Sequence, residues 1–264
     1  MHMTGIWKGT TALVTGGSRG LGAALAEALA SRGVTLVLVA RGAEALERIA
    51  GRLRAAGATV VTLPADLAHP DTPAWLLREV QSRGLVIDHF INNAGVGPQG
   101  RFHQLPAELQ LPTIDVNIRA ATELAARLLP GMLQRRRGGI LTIASTAAWQ
   151  GLQWLPVYSA SKAYLLTWSE AVWVGLRGTG LRCCCCSPGP VDTGFFESNR
   201  FTLKPPAWLL QSPAVVARRA LRAYERDDCH VIPYFPFRIL AWSTRLVPRA
   251  LAARLGAWYG EPAH

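Results

Sequence analysis

The chain has 264 residues, half of them hydrophobic, and 28 Lys and Arg against 17 Asp and Glu give a formal charge of +11. This length suits one larger domain, the apolar fraction excludes a disordered chain, and no apolar run approaches the roughly 18 residues that span a bilayer. The charge admits nucleic acid, acidic lipid or an anionic ligand as partners, but it is spread mostly as single Arg residues, so no nucleic-acid surface is expected.

The start, MHMTGIWKGT, lacks the apolar core of a secretory signal, and the cytoplasm is the expected compartment. Four of five cysteines are consecutive, Cys183 to Cys186. Neighbours on a strand point to opposite faces, so these read as small buried hydrophobes that do not bridge. The six His are scattered and no H-E-x-x-H occurs, so no metal site is expected.

Residues 11–14 form a short apolar strand, followed at once by T-G-G-S-R-G-L-G at 15–22 and a helical pattern over 21–32. Strand, glycine turn and helix make a phosphate cradle: glycines let the backbone approach, and the helix N-terminus offers free N–H groups. The spacing of Gly16, Gly20 and Gly22 is G-x-x-x-G-x-G, which differs from G-x-G-x-x-G. The second strand, 35–40, ends where a dinucleotide fold meets the adenosine ribose. An acid there would select NAD; this chain has Arg41, with Arg19 inside the glycine turn on the same side. Two guanidinium groups suit a 2′-phosphate, so NADP is expected over NAD. A surface role is the plainer alternative for Arg41.

A helix over 43–56 and a third strand over 59–63 lead to Asp66-Leu67, placed to read an adenine amino group. A helix over 75–81 and a fourth strand over 87–91 lead to Asn92-Asn93-Ala94-Gly95, a small polar turn at a strand C-terminus. A long helix over 106–134 carries Ile114, Ile118, Ala121, Leu124, Leu128 and Met132 near one face, interrupted by Asn117. A buried Asn must be hydrogen-bonded, so Asn117 either braces backbone or serves a site. The fifth strand, 140–143, has Ser145 just past its end. The helix running to about 177 carries Tyr158 and Lys162 one turn apart, on one face. An ammonium so close to a phenol favours the phenolate, pulling its pKa below the usual value of about 10. Only Lys8, Lys162 and Lys204 among the 28 basic residues are Lys, and Lys162 stands where a compact ammonium differs most from a planar fork. The sixth strand, 182–186, ends in Ser187-Pro188-Gly189-Pro190. Six strand–helix repeats with short connections predict a single-domain, doubly wound parallel sheet of the Rossmann type, flanked by helices.

In order and approximate spacing, the glycine turn 15–22, Asn92 to Gly95, Asn117, Ser145, Tyr158, Lys162 and Pro188-Gly189 resemble the short-chain dehydrogenase/reductase family over nearly the whole chain. The tail is similar to bacterial members related to hydroxysteroid dehydrogenases and 3-oxoacyl reductases. The resemblance implies that Tyr158 protonates a substrate carbonyl oxygen as hydride arrives. Lys162 would lower the Tyr158 pKa and hold the nicotinamide ribose, Ser145 would polarise the carbonyl, and Asn117 would hold a water leading to solvent. It also implies that Gly16, Ser18, Arg19, Gly20, Leu21 and Gly22 line the pyrophosphate side and Arg41 takes the 2′-phosphate. Asp66 and Leu67 would meet the adenine, Asn93 and Gly95 the adenosine ribose side, and Val191 and Thr193 the carboxamide. A homodimer or homotetramer is expected.

Trp149, Leu152, Trp154 and Leu155 lie between Ser145 and Tyr158, and Phe195-Phe196 opens a Pro-broken stretch, 193–212, that covers the substrate in this family. This apolar, aromatic lining predicts an NADPH-dependent reductase of a sizeable hydrophobic ketone, such as an acyl, polyketide, steroid or aryl ketone. The same aromatics would alternatively be core or subunit contacts. The alternative for the whole chain is a non-catalytic NADP(H)-binding sensor or scaffold, which has no need of a tuned acid. The final segment, 234–264, alternates aromatics with Arg and reads as an amphipathic helix pair split at Pro248, serving as lid, subunit interface or peripheral membrane contact.

Overall fold

The computed structural model describes residues 3–199, 201 and 206–256. Its strands are β1 (Thr11–Thr15), β2 (Thr35–Ala40), β3 (Val60–Pro64), β4 (His89–Asn92), β5 (Gly139–Ile143), β6 (Arg182–Cys186) and β7 (His230–Val231). All pair in parallel, in the order β3-β2-β1-β4-β5-β6-β7. A parallel sheet is covered on both faces, which is why β1, β2 and β6 are unbroken apolar runs with interiors fully buried.

The helices are α1 (Gly20–Ala30), α2 (Ala43–Ala55), α3 (Thr72–Ser82), α4 (Ala107–Ile114), α5 (Ala121–Arg135), α6 (Pro156–Gly175), α7 (Phe195–Ser198), α8 (Pro213–Glu225), α9 (Phe235–Ser243) and α10 (Arg249–Gly256). Leu25 and Leu29 of α1, Leu46 and Ile49 of α2, and Val216, Leu221 and Tyr224 of α8 cover one face of the sheet. Leu76 of α3, Leu124 and Met132 of α5 and Trp168 of α6 cover the other. The cysteines alternate between these layers, Cys184 and Cys186 in the first and Cys183 in the second, and all four are free thiols. Burial pushes the Cys185 thiol up to about 12, so it stays protonated as a hydrophobe should.

Strand order reverses between β1 and β4, so the loops after these strands diverge and open a crevice at their C-terminal ends. The glycine turn leaves β1 there, and Asn93 leaves β4.

The helix expected over 106–134 is interrupted. Between α4 and α5 the backbone takes a π-helical turn, Asp115–Ala120. The wider turn shifts the phase of the buried stripe to Thr113, Val116, Asn117, Ala120 and Leu124. Ile114, expected on the apolar face, is consequently 42% exposed. Helix α8 and strand β7 add to the six expected repeats. In the C-terminal segment α9 and α10 flank Pro248, and residues 257–264, with Trp258, lie outside the described residues. So do residues 200 and 202–205 of the expected substrate loop. Among the described residues, no helix is long and apolar enough to cross a membrane.

Candidate active site

At the N-terminus of α1 the backbone must pass close to itself. Gly20 has φ +54°, and a Cβ there would collide with Thr193; a Cβ on Gly22 would land on the Gly16 carbonyl oxygen. The N-cap residue Arg19 is extended and gives no side-chain cap, so first-turn N–H groups stay available to an anion. Asn93 fixes this turn against β4: its Nδ2 donates to the Thr15 and Gly16 carbonyls at 2.9 and 3.3 Å, and its N–H donates to Thr15 Oγ1 at 3.1 Å.

Two clefts meet here. The first is lined by Gly16, Ser18, Arg19, Arg41, Asp66, Leu67, Asn93, Gly95 and Thr193. Arg19 and Arg41 are exposed at its rim, and no carboxylate among the described residues pairs with either. Asp66 Oδ1 accepts from the Ala68 N–H at 3.0 Å, which fixes the carboxylate in its loop. The second cleft is lined by Ser145, Tyr158 and Lys162, with Leu21, Val191, Trp149, Phe195 and Phe196 among its apolar walls. Asn93, Gly95, Thr193 and Phe195 line both, so the two run into one another. A phosphate cradle, an unpaired pair of guanidinium groups and a continuous path to Tyr158 fit an extended dinucleotide.

Helix α6 brings Tyr158 and Lys162 to the floor of the second cleft. The Lys162 ammonium lies 5.7 Å from the centre of the Tyr158 ring and donates to the Ile143 carbonyl at 2.9 Å. Only 3% exposed, it is desolvated, and burial lowers its pKa to about 8. Ser145 caps the turn Thr146–Trp149: its Oγ accepts from the Ala147 N–H at 3.1 Å, which leaves its own hydrogen for the cleft. A Cβ on Gly97 would strike the Tyr158 ring, so a bare backbone closes the other side of the phenol.

Asn117 sits in the π turn, fully buried. Its Oδ1 accepts from the Val96 N–H at 3.0 Å, and its Nδ2 donates to the Val96 carbonyl and Ser161 Oγ, both at 2.9 Å. The amide therefore braces the loop after β4, the first of the two uses that a buried Asn allowed. Gly95 lies between it and Lys162: a Cβ there would be 3.2 Å from Nζ and 3.5 Å from Oδ1.

One expected substrate residue lies apart from the others. Trp154 is not among the residues lining the second cleft; its ring is buried in the loop with the Arg101 guanidinium 4.9 Å from its centre. The chain reverses there, so Leu152 and Leu155 face the cleft instead. Sequence reasoning missed the far wall, Phe237, Leu240, Ala241 and Thr244. Their i, i+3, i+4, i+7 spacing marks one helix face and was the available signal. Phe237 packs so closely on Gly189 that a Cβ would strike its ring, which binds α9 to the turn after β6. Asn199 also escaped notice; its Oδ1 accepts from the Gly97 N–H at 2.8 Å and ties the end of α7 to the loop after β4.

The family description "short chain dehydrogenase" matches residues 10–203. The ketoacyl reductase HetN of Nostoc sp. is 36% identical over 226 residues, 85% of this chain and 78% of that protein. A short-chain dehydrogenase from Sphingobium yanoikuyae, solved in complex with NADPH, superposes with a TM-score of 0.80 at 30% identity, over 90% of this chain and 93% of that one. A 3-oxoacyl-[acyl-carrier protein] reductase from Brucella melitensis, solved with bound NAD, gives 0.73 at 25% identity, over 86% and 88%. Fold and site together define an oxidoreductase built on a dinucleotide-binding sheet. The chain belongs to the short-chain dehydrogenase/reductase family, whose members act on alcohol and carbonyl groups.

Proposed function

We propose that this protein is an NADPH-dependent reductase that converts a sizeable hydrophobic ketone to a secondary alcohol. The observation that carries the proposal is the junction of the clefts: Tyr158, Lys162 and Ser145 stand where an Arg-rimmed dinucleotide cleft opens into an apolar pocket. Solved relatives hold either NADPH or NAD, so the choice rests on this chain's residues. Arg19 and Arg41 supply two charge-assisted donors for a 2′-phosphate, each worth about 1.5–3 kcal/mol, and no acid stands at the end of β2.

When bound, the cofactor supplies a hydride to the carbonyl carbon. Ser145 O–H donates to the carbonyl oxygen and fixes its position, and Tyr158 passes its phenolic proton to that oxygen as it becomes an alkoxide. The Lys162 ammonium stabilises the negative charge left on the Tyr158 oxygen. Asn117 keeps the Gly95–Val96 backbone in place beside Lys162. Trp149, Leu152, Phe195, Phe196 and Phe237 exclude water and hold an apolar substituent, and all lie in the second cleft. Free, buried cysteines suit a reducing compartment such as the cytoplasm, and a homodimer or homotetramer is the proposed assembly.

The test is an NADPH-oxidation screen over ketones graded in size and polarity, repeated with NADH. The expected result is the highest kcat/KM with a bulky apolar ketone and NADPH. A small polar ketone as best substrate, or equal use of NADH, would overturn the corresponding part.

A further inference from the structure

One helix carries apolar side chains on opposite sides. The inner side of α9 and the turn after it place Phe237, Leu240, Ala241 and Thr244 in the wall of the substrate pocket. The outer side carries Phe235, Ile239 and Trp242, and Leu246 follows in the turn; they are 66%, 58%, 66% and 87% exposed. The spacing i, i+4, i+7 keeps the first three on one stripe. An ordinary surface helix turns polar residues outward, whereas one that is apolar all round is covered by something. Arg238 beside the stripe and Arg249 and Arg254 on α10 are exposed as well. No Asp or Glu occurs anywhere from residue 229 to residue 260.

We propose that α9 and α10 seat the protein on an anionic lipid surface, with Phe235, Ile239, Trp242 and Leu246 entering the interface and the Arg residues at its phosphates. Aromatic and aliphatic side chains flanked by Arg, with no carboxylate to repel the surface, are what an interfacial helix requires. A second copy of this chain is the poorer occupant, because a two-fold contact sets the same unopposed Arg residues against themselves. In this seat a single helix, roughly 10 Å thick, separates the substrate pocket from the lipid. A lipid-soluble ketone would then reach Tyr158 from the bilayer. That consequence rests on the ketone-reductase reading; the docking surface itself does not.

The experiment is sedimentation of the full chain with vesicles of phosphatidylglycerol and phosphatidylcholine, and with phosphatidylcholine alone. The protein pellets with the anionic vesicles, binds neutral ones far less, and is released as salt rises. The double variant Ile239→Ser/Trp242→Ser abolishes pelleting. Arg238→Gln/Arg249→Gln weakens it at least about tenfold, the loss expected for two guanidinium groups at such a surface. Thermal melting checks both variants, and if the first does not fold, the second decides. Wild-type protein left in the supernatant of anionic vesicles overturns the proposal. So do variants that pellet like wild type, or variants that lose only a dimer seen by light scattering, which would assign the stripe to a second copy. Pelleting needs neither cofactor nor ketone, so this result and the ketone screen fail independently.

Discussion

The Lys162 ammonium is buried, and no carboxylate among the described residues pairs with it; its partner is the neutral Ile143 carbonyl. Burial therefore dominates and lowers its pKa to about 8, against about 10.4 in an unfolded chain. Below pH 8 both states hold the proton and the full cost of the buried charge is present. Between about 8 and 10.4 the unfolded state binds more protons, so this contribution grows more favourable as pH rises. Lys162→Met should abolish turnover yet raise the urea midpoint at pH 7, with the gap to wild type closing toward pH 10. Parallel midpoints across that range would contradict the assignment. At this scale the sequence was informative about side chains on regular elements and silent about those in loops. Tyr158, Lys162 and Ser145 were legible because spacing along one helix and position after a strand fix where they point. Trp154 was not, because its direction is set by a loop reversal that has no periodicity to read.

The π turn at Asp115–Ala120 decides what the long helix can do. A regular helix continuing the phase of Ile114 would bury that residue, whereas the wider turn buries Asn117 and delivers both ends of its amide to Val96. Asn117→Ala leaves the Val96 N–H and carbonyl without these partners, which should cost about 1–3 kcal/mol in stability. It should also lower kcat, because the loop beside Lys162 is released. Unchanged kcat with lowered stability would make Asn117 a brace for the fold alone. No single-residue signal announces a π turn, so an apolar face drawn at 3.6 residues per turn goes out of register there. The other unread elements have a different cause. Helix α8 does carry helical spacing, in Val216, Ala217, Ala220, Leu221 and Tyr224 behind Pro213, but strand β7 has two residues and is defined by its pairing to Cys185 and Cys186. A strand that short exists only through its neighbour.

Over the whole molecule, the alternation of apolar strands with amphipathic helices was enough to give the parallel sheet and the crevice beside β1 and β4. What closes that crevice was less legible, since the far wall comes from α9, more than 70 residues along the chain from Tyr158. Two histidines, the buried His89 and the half-buried His230, couple the fold to pH. Burial holds His89, bonded to the Tyr224 hydroxyl at 2.8 Å, down to about 4. Burial and then the Arg245 charge do the same for His230, bonded to Ser187 Oγ at 2.9 Å. Both stay neutral when folded but charge near 6.5 when unfolded, so their stabilisation is complete above 6.5 and is lost as pH falls toward 4. His89→Gln, which keeps a partner for Tyr224, should flatten the slope of unfolding free energy against pH in that window. An unaltered slope would place the titration elsewhere.

The central claim is that Tyr158 donates the proton that completes the reduction. Tyr158→Phe keeps the ring between Gly97 and Phe195 and removes only the oxygen. Measured side by side on wild type and this variant, NADPH binding should be equal while ketone-dependent NADPH oxidation falls by at least about a hundredfold, the low end for loss of a general acid. A variant that binds NADPH and still reduces the ketone at the wild-type rate would contradict the account.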